Sequence, residues 1–207
     1  AAALYDRAIR THERLVAQDP GNRVYKLELA QFRENDADLA RTGGDLPRAT
    51  LRNRQALALL DELLLPAPSL GIEHADAHSL RGTILASGGS PHAVAAYAES
   101  LSLFEDLDRD PAARRLPAFH QRYGDLLLNL AALSRESGAD DRSHRLLVQA
   151  VTRYAAHAEA SLAAGDRPDA QLVADHLSAL LPELNDADGR AIRPVIERVQ
   201  ARLAASK

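Results

Sequence analysis

His74 and His78 lie four residues apart, with Glu73 and Asp76 beside them. On a helix that spacing puts two imidazoles on one face, a geometry able to hold a metal ion. A third ligand is needed, and no pattern in the chain supplies one. Ala75 also stands where a zinc hydrolase helix carries its glutamate base. The pair therefore reads as a polar helix start, with no metal and no cofactor. Asp36 is a sharper oddity, because it continues the apolar stripe of Tyr25, Leu29 and Phe32. A carboxylate there needs an arginine or a place at the solvent edge, so it reads as a structural salt bridge. The groups Arg33/Glu34/Asp36, Asp106/Asp108/Arg109/Asp110 and Asp140/Asp141/Arg142 fit no calcium loop. Helix capping and solvated faces account for them. The sequence holds no phosphate-cradling glycine loop and no nucleophile elbow, and no motif ties a serine, a histidine and an aspartate together. It reads as non-catalytic, whatever a longer parent protein carries.

The elements that must position these residues are helices. Leu, Ala and Arg abound while β-branched and aromatic residues are scarce, a helix-forming composition. A glycine followed five residues later by a small residue recurs as Gly44…Ala49, Gly88…Ala93, Gly138…Ser143 and Gly165…Ala170. Such a glycine closes one helix, and the small residue lets the next approach closely. The predicted helices are Leu4 to Gln18, Asn22 to Thr42, Asp45 to Leu65, Ile72 to Ser87, one from Pro91 through Asp108, Ala113 to Ser137, Asp140 to Ala164, Pro168 to Leu181 and Arg190 to Ala205. Pro117 falls early in the sixth, and the last two form a hairpin around Asn185–Gly189. Aligned second helices put Tyr5, Asn53, Tyr97 and Leu147 at one position, and Ala8, Ala56, Ser100 and Ala150 three residues later. Gly165 breaks this period and marks the far end of the long seventh helix.

The fold class expected is all-α, an α-solenoid of antiparallel helix pairs with a C-terminal helical hairpin. It forms a single domain over residues 1–207, with the repeats in about 4–164 and the closing hairpin in about 168–205. A chain without Met, opening on Ala1 inside a helical pattern, reads as a piece of a longer polypeptide. The absence of Cys excludes disulfides and thiolate metal sites. The net charge of −4, with both signs interspersed, argues against a nucleic-acid partner. No apolar run reaches the length of a membrane span, and Asp61 and Glu62 interrupt the best candidate, Ala56 to Leu65. The segment reads as soluble, on either side of a membrane.

Tyr5 through Asn22 resembles the second helix and exit turn of a tetratricopeptide (TPR) repeat. Phe32, the run from Gly44 to Ala49, and Ala56 resemble the extended TPR variety, as do Leu127, Leu130, Ala131, Gly138 and Ala150. The chain departs from that pattern at Asn35 and Asp36, and at Arg81, which takes a normally small position in the second pair. The resemblance implies a right-handed superhelix of the kind found behind bacterial receptor-like serine/threonine kinases. It also implies that the first helix of each pair lines a concave partner-binding surface. Arg33 and Ala37, His78, and Asn129, Ala132 and Arg135 fall at its inward positions. Arg33, His78, Asn129 and Arg135 can bond a peptide backbone or a carboxylate. The expected function is a protein-interaction or sensory module for a peptide or protein. The alternative is a structural spacer or dimerisation element.

Overall fold

The computed structural model describes residues 2–63, 68–180, 182 and 186–205. Among them regular structure is helical: α1 (Ala2–Gln18), α2 (Arg23–Thr42), α3 (Leu46–Glu62), α4 (Pro68–Ser87), α5 (Ala93–Leu107), α6 (Pro117–Glu136), α7 (Asp140–Ala163), α8 (Arg167–Leu180) and α9 (Asp186–Ala205). A short 3₁₀ turn, Ala113–Arg115, precedes α6. The helices pack into two compact units, Ala1–Asp106 and Leu107–Lys207. The architecture is a helical repeat of tightly packed antiparallel pairs.

The turns explain why consecutive helices fold back on each other. Gly44, Gly89, Gly138 and Gly165 have φ of 81°, 66°, 75° and 82°. At each, the next residue's N–H reaches back over the turn: Asp45 to Ala40 O at 2.8 Å, Ser90 to Leu85 O at 2.9 Å, Ala139 to Ser134 O at 2.9 Å and Asp166 to Ser161 O at 2.8 Å. This Schellman closure satisfies helix-end carbonyls, and glycine enters its left-handed step without a Cβ penalty. In the second pair the turned residue is Gly89, not the expected Gly88. Gly88 still ends α4 by donating to Ile84 O at 3.2 Å. The small residues that follow, Ala49, Ala93, Ser143 and Ala170, are all buried. The aligned positions are buried too, from Asn53, Tyr97 and Leu147 to Ala56, Ser100 and Ala150. Their counterparts on α1, Tyr5 and Ala8, are only half-buried.

Four expectations need correction. Arg81 does not crowd the close contact in the second pair, because it is exposed and Gly82 is the buried residue. A Cβ on Gly82 would lie 2.6 Å from the Tyr97 ring. The sixth helix starts at Pro117 rather than Ala113: Leu116 is extended (φ −87°, ψ 121°), as a residue before proline prefers. The fourth helix starts at Pro68 instead of Ile72, and the ninth at Asp186 instead of Arg190. Asp186 to Gly189 are therefore helical rather than a turn. The predicted hairpin residue Asn185, and the end of the third helix at Leu64 and Leu65, lie outside the described residues.

Candidate functional site

In the first unit, α3 and α4 run antiparallel, with Ala49 packed near Ile84 at one end and Asp61 meeting His74 at the other. Between them lies a recess of about 470 Å³. α3 contributes Thr50, Asn53, Arg54, Leu57, Ala58 and Asp61, and α4 contributes His74, His78, Arg81, Ile84 and Leu85. On each helix these residues recur at three- and four-residue spacings, so each forms one face. Asn53 holds the seam by donating to Ala77 O at 2.9 Å. Behind α4, Ser100 on α5 donates to Ala75 O at 2.7 Å.

The two histidine rings meet edge to face, 5.0 Å between centroids. His74 Nε2 stands 3.0 Å from Asp61 Oδ1, and His78 Nδ1 2.9 Å from Glu99 Oε2 on α5. Both contacts are angled away from a proper hydrogen bond, so the two nitrogens are buried without one. Burial, and then the neighbouring His74, push the His78 pKa below the usual histidine value. Glu99 pulls it up only in part. The two imidazoles thus turn to separate carboxylates. Among the described residues no group of three or more His, Cys, Asp or Glu is disposed to hold a metal ion.

Of the other residues expected to meet a partner, Arg33 does not line the recess. Its Nη2 donates to Glu13 on α1 at 2.9 Å, and Nη1 to the Gln55 carbonyl on α3 at 3.4 Å. Ala37 is fully buried beside Ala49 and Ile84, because α4 covers that face of α2. Asn129, Ala132 and Arg135 are on α6 in the second unit, Asn129 half-buried and the other two exposed. Sequence reasoning missed Arg54, Asp61 and the role of Arg81. The run His74, His78, Arg81, Leu85 was the available signal, since it extends the histidine pair down one helical face.

Asp36 has the arginine partners its burial demands. Its carboxylate is 1 % exposed and takes Arg48 Nη2 at 2.7 Å and Arg52 Nε at 2.9 Å. Both arginines also reach Asp6 on α1 at 3.1 Å, tying α1, α2 and α3 together. The Asp36 hydrogen bond is the largest influence raising the Arg48 pKa above its ordinary value.

In the second unit Arg153 grips Asp108 with both terminal nitrogens at 2.7 Å. Its guanidinium also stacks 4.3 Å from the Tyr123 ring centroid. Arg153 holds the Asp108 carboxyl below the usual range against the opposing effect of burial. Tyr154 donates to Asp125 at 2.5 Å, and burial first, then Asp125, raise its pKa. Ser161, His157 and Asp169 also come together. Ser161 Oγ and His157 Nε2 both approach Asp169 Oδ2, at 2.5 and 2.7 Å, so no imidazole nitrogen accepts the serine proton. A nucleophilic triad needs that acceptor. The trio instead anchors the start of α8 against α7. Burial lifts the Asp169 pKa, but the bonds from Ser161 and His157 outweigh it and hold the carboxyl below its usual value.

No helix of the described chain is long and apolar enough to cross a membrane. What the geometry defines is a helical-repeat protein whose open feature is a seam between two hairpins. No protein-family model and no curated protein matches the chain. Among solved structures it is similar to the crystal structure of BtubC (BKLC) from P. vanneervenii, at a TM-score of 0.53 and 16 % identity, covering 99 % of this chain and 90 % of that one. At that identity the likeness is one of fold alone.

Proposed function

We propose that this chain is a non-catalytic protein-interaction module of the TPR-like kind, which binds a peptide or protein partner. The observation that carries the reading is the contrast between its polar groups. Clusters such as Asp36 with Arg48 and Arg52, or Asp108 with Arg153, are consumed by internal ion pairs, whereas the α3/α4 seam leaves polar side chains around an open recess. His78, one of the four residues expected to meet a partner, lies in it. Arg33, Asn129 and Arg135 remain candidate contacts on other surfaces. The resemblance to TPR regions of bacterial signalling kinases supports a place within a larger signalling protein.

A second reading, a spacer or dimerisation element, draws on one feature. Leu4, 62 % exposed, stands beside Tyr5, Ala8 and Phe32 on an open apolar face of α1 and α2. Panning a random peptide library on the folded chain, alongside sedimentation of the chain alone, tests both. Enrichment of defined peptides by a monomer supports the interaction module. A tight dimer that enriches none overturns it in favour of the spacer.

A further inference from the structure

The recess in the α3/α4 seam has a shape and a charge that narrow what it takes. Its lining spans residues 50–61 of α3 and 74–85 of α4. At 1.5 Å per residue that is a trough of about 16 Å, matching roughly five residues of extended chain. The antiparallel register fixed by Asp61 and His74 brings Arg54 close to the level of Arg81 on the opposite wall. Leu57 and Ala58 flank that level on α3, and Ile84 and Leu85 on α4.

Two guanidiniums at one level repel unless an anion stands between them. Arg54 makes no ion pair or hydrogen bond among the described residues. The nearest acid to Arg81 is Glu99, at a long 3.6 Å with both side chains about half exposed. Elsewhere Arg33, Arg48, Arg52 and Arg153 each hold a carboxylate within 3.1 Å. Among the described residues Asp61 is the one carboxylate lining the trough, in a chain whose net charge is −4. The trough therefore sets two guanidiniums against one lining carboxylate, over apolar walls.

We propose that the α3/α4 trough docks an extended acidic peptide, with an apolar side chain on the Leu57/Ala58 wall of α3 and an adjacent carboxylate held between Arg54 and Arg81. The proposal rests on the interaction-module reading and gives it a site and a ligand chemistry. Arginine pairs recognise carboxylates through paired, charge-assisted bonds, which supplies selectivity for acid over amide. The length of the trough favours a peptide over a compact metabolite. Among the described residues no Phe, Tyr or Trp lines it, and its two imidazoles stand edge to face against each other, which disfavours stacking of single-stranded nucleic acid.

The test uses the full chain and two libraries of about six-residue peptides, a length set by the trough. Both carry a fixed leucine, followed in one by aspartate or glutamate and in the other by asparagine or glutamine. The acidic library should be retained and the amide library lost. Arg54→Ala/Arg81→Ala should weaken the best acidic peptide by about tenfold or more, the scale expected for lost charge-assisted bonds. Both arginines are exposed, so melting should hardly change. Ala58→Glu, at another exposed position, should weaken binding by a separate route. Unchanged affinity in the double variant, equal retention of both libraries, or binding only of free aliphatic carboxylates would each overturn the proposal. If random panning yields binders that ignore all three substitutions, the interaction module stands and this trough falls. If it yields none, both fall.

Discussion

The two units use the same helical hairpin and treat buried charge differently. In the second, polar groups on α6, α7, α8 and the segment before α6 close on one another: Arg153 on Asp108, Tyr154 on Asp125, His157 and Ser161 on Asp169. In the first, the Asp6/Asp36/Arg48/Arg52 cluster and the Arg33–Glu13 pair close in this way, while the next seam opens into a trough whose Arg54 makes no ion pair among the described residues. A cation becomes available to a partner only where the fold leaves it without a nearby acid. Counting charges along the sequence does not reveal that, because the pairs join residues on different helices.

The largest effect expected is at Asp36. Asp36→Ala would leave Arg48 and Arg52 with Asp6 alone, at the edge of a buried site. Breaking a buried pair costs about 3 kcal/mol or more, partly relieved here by the arginines' residual exposure. A urea melt reads it, and a loss below about 1 kcal/mol would show the cluster to be a surface ornament. Next comes a paired test of glycine seats, one in each unit. An added Cβ would meet the Tyr97 ring at 2.6 Å from Gly82, but the Tyr154 ring at 3.1 Å from Gly124. Overpacking costs about 1–3 kcal/mol, against about 1 kcal/mol of helix propensity gained by alanine. Gly82→Ala should therefore destabilise clearly and Gly124→Ala much less. The reverse order would break the comparison.

The smallest effect is a pH dependence centred on His120. Its Nε2 donates to Arg114 O at 2.8 Å, while Nδ1 is buried without a partner. Burial first, and the nearby Arg153 charge, lower its pKa despite the Arg114 bond. Below about pH 6.5, the usual histidine value, the unfolded chain then binds more protons than the folded one. The stability tied to His120 is full above that pH and is lost as pH falls through the lowered value. His78 titrates in the same direction. The melting temperature should decline on acidification in this range, and His120→Gln should flatten the decline. An unchanged slope would move the sensitivity to His78, in the other unit.

Much of the fold was legible. The glycine turns, the small residues after them and the length of α7 follow from spacing alone, and the stripe of α2 already required a partner for Asp36. Adjacent residues were harder to separate. Gly88 and Gly89, like Arg81 and Gly82, differ by one step that a periodic pattern cannot resolve, and packing against Tyr97 resolves the second. His74 and His78 were visible as a pair, but Asp61 and Glu99 approach from other helices. The trough exists only once the register of α3 against α4 is set, and spacing within either helix does not set it.

The four glycine turns also bear on how fast the chain reaches its native state. Each joins the ends of two helices across a few residues, so the first tertiary contacts close very small loops at little entropic cost. The α6/α7 hairpin can zip outward from the Ala139–Ser134 bond until Tyr154 meets Gly124 and Asp125. Contacts so local in sequence belong to chains that refold in about milliseconds or less. Gly138→Val would tax the turn before any packing could repay it, and stopped-flow refolding should slow in that variant more than unfolding accelerates.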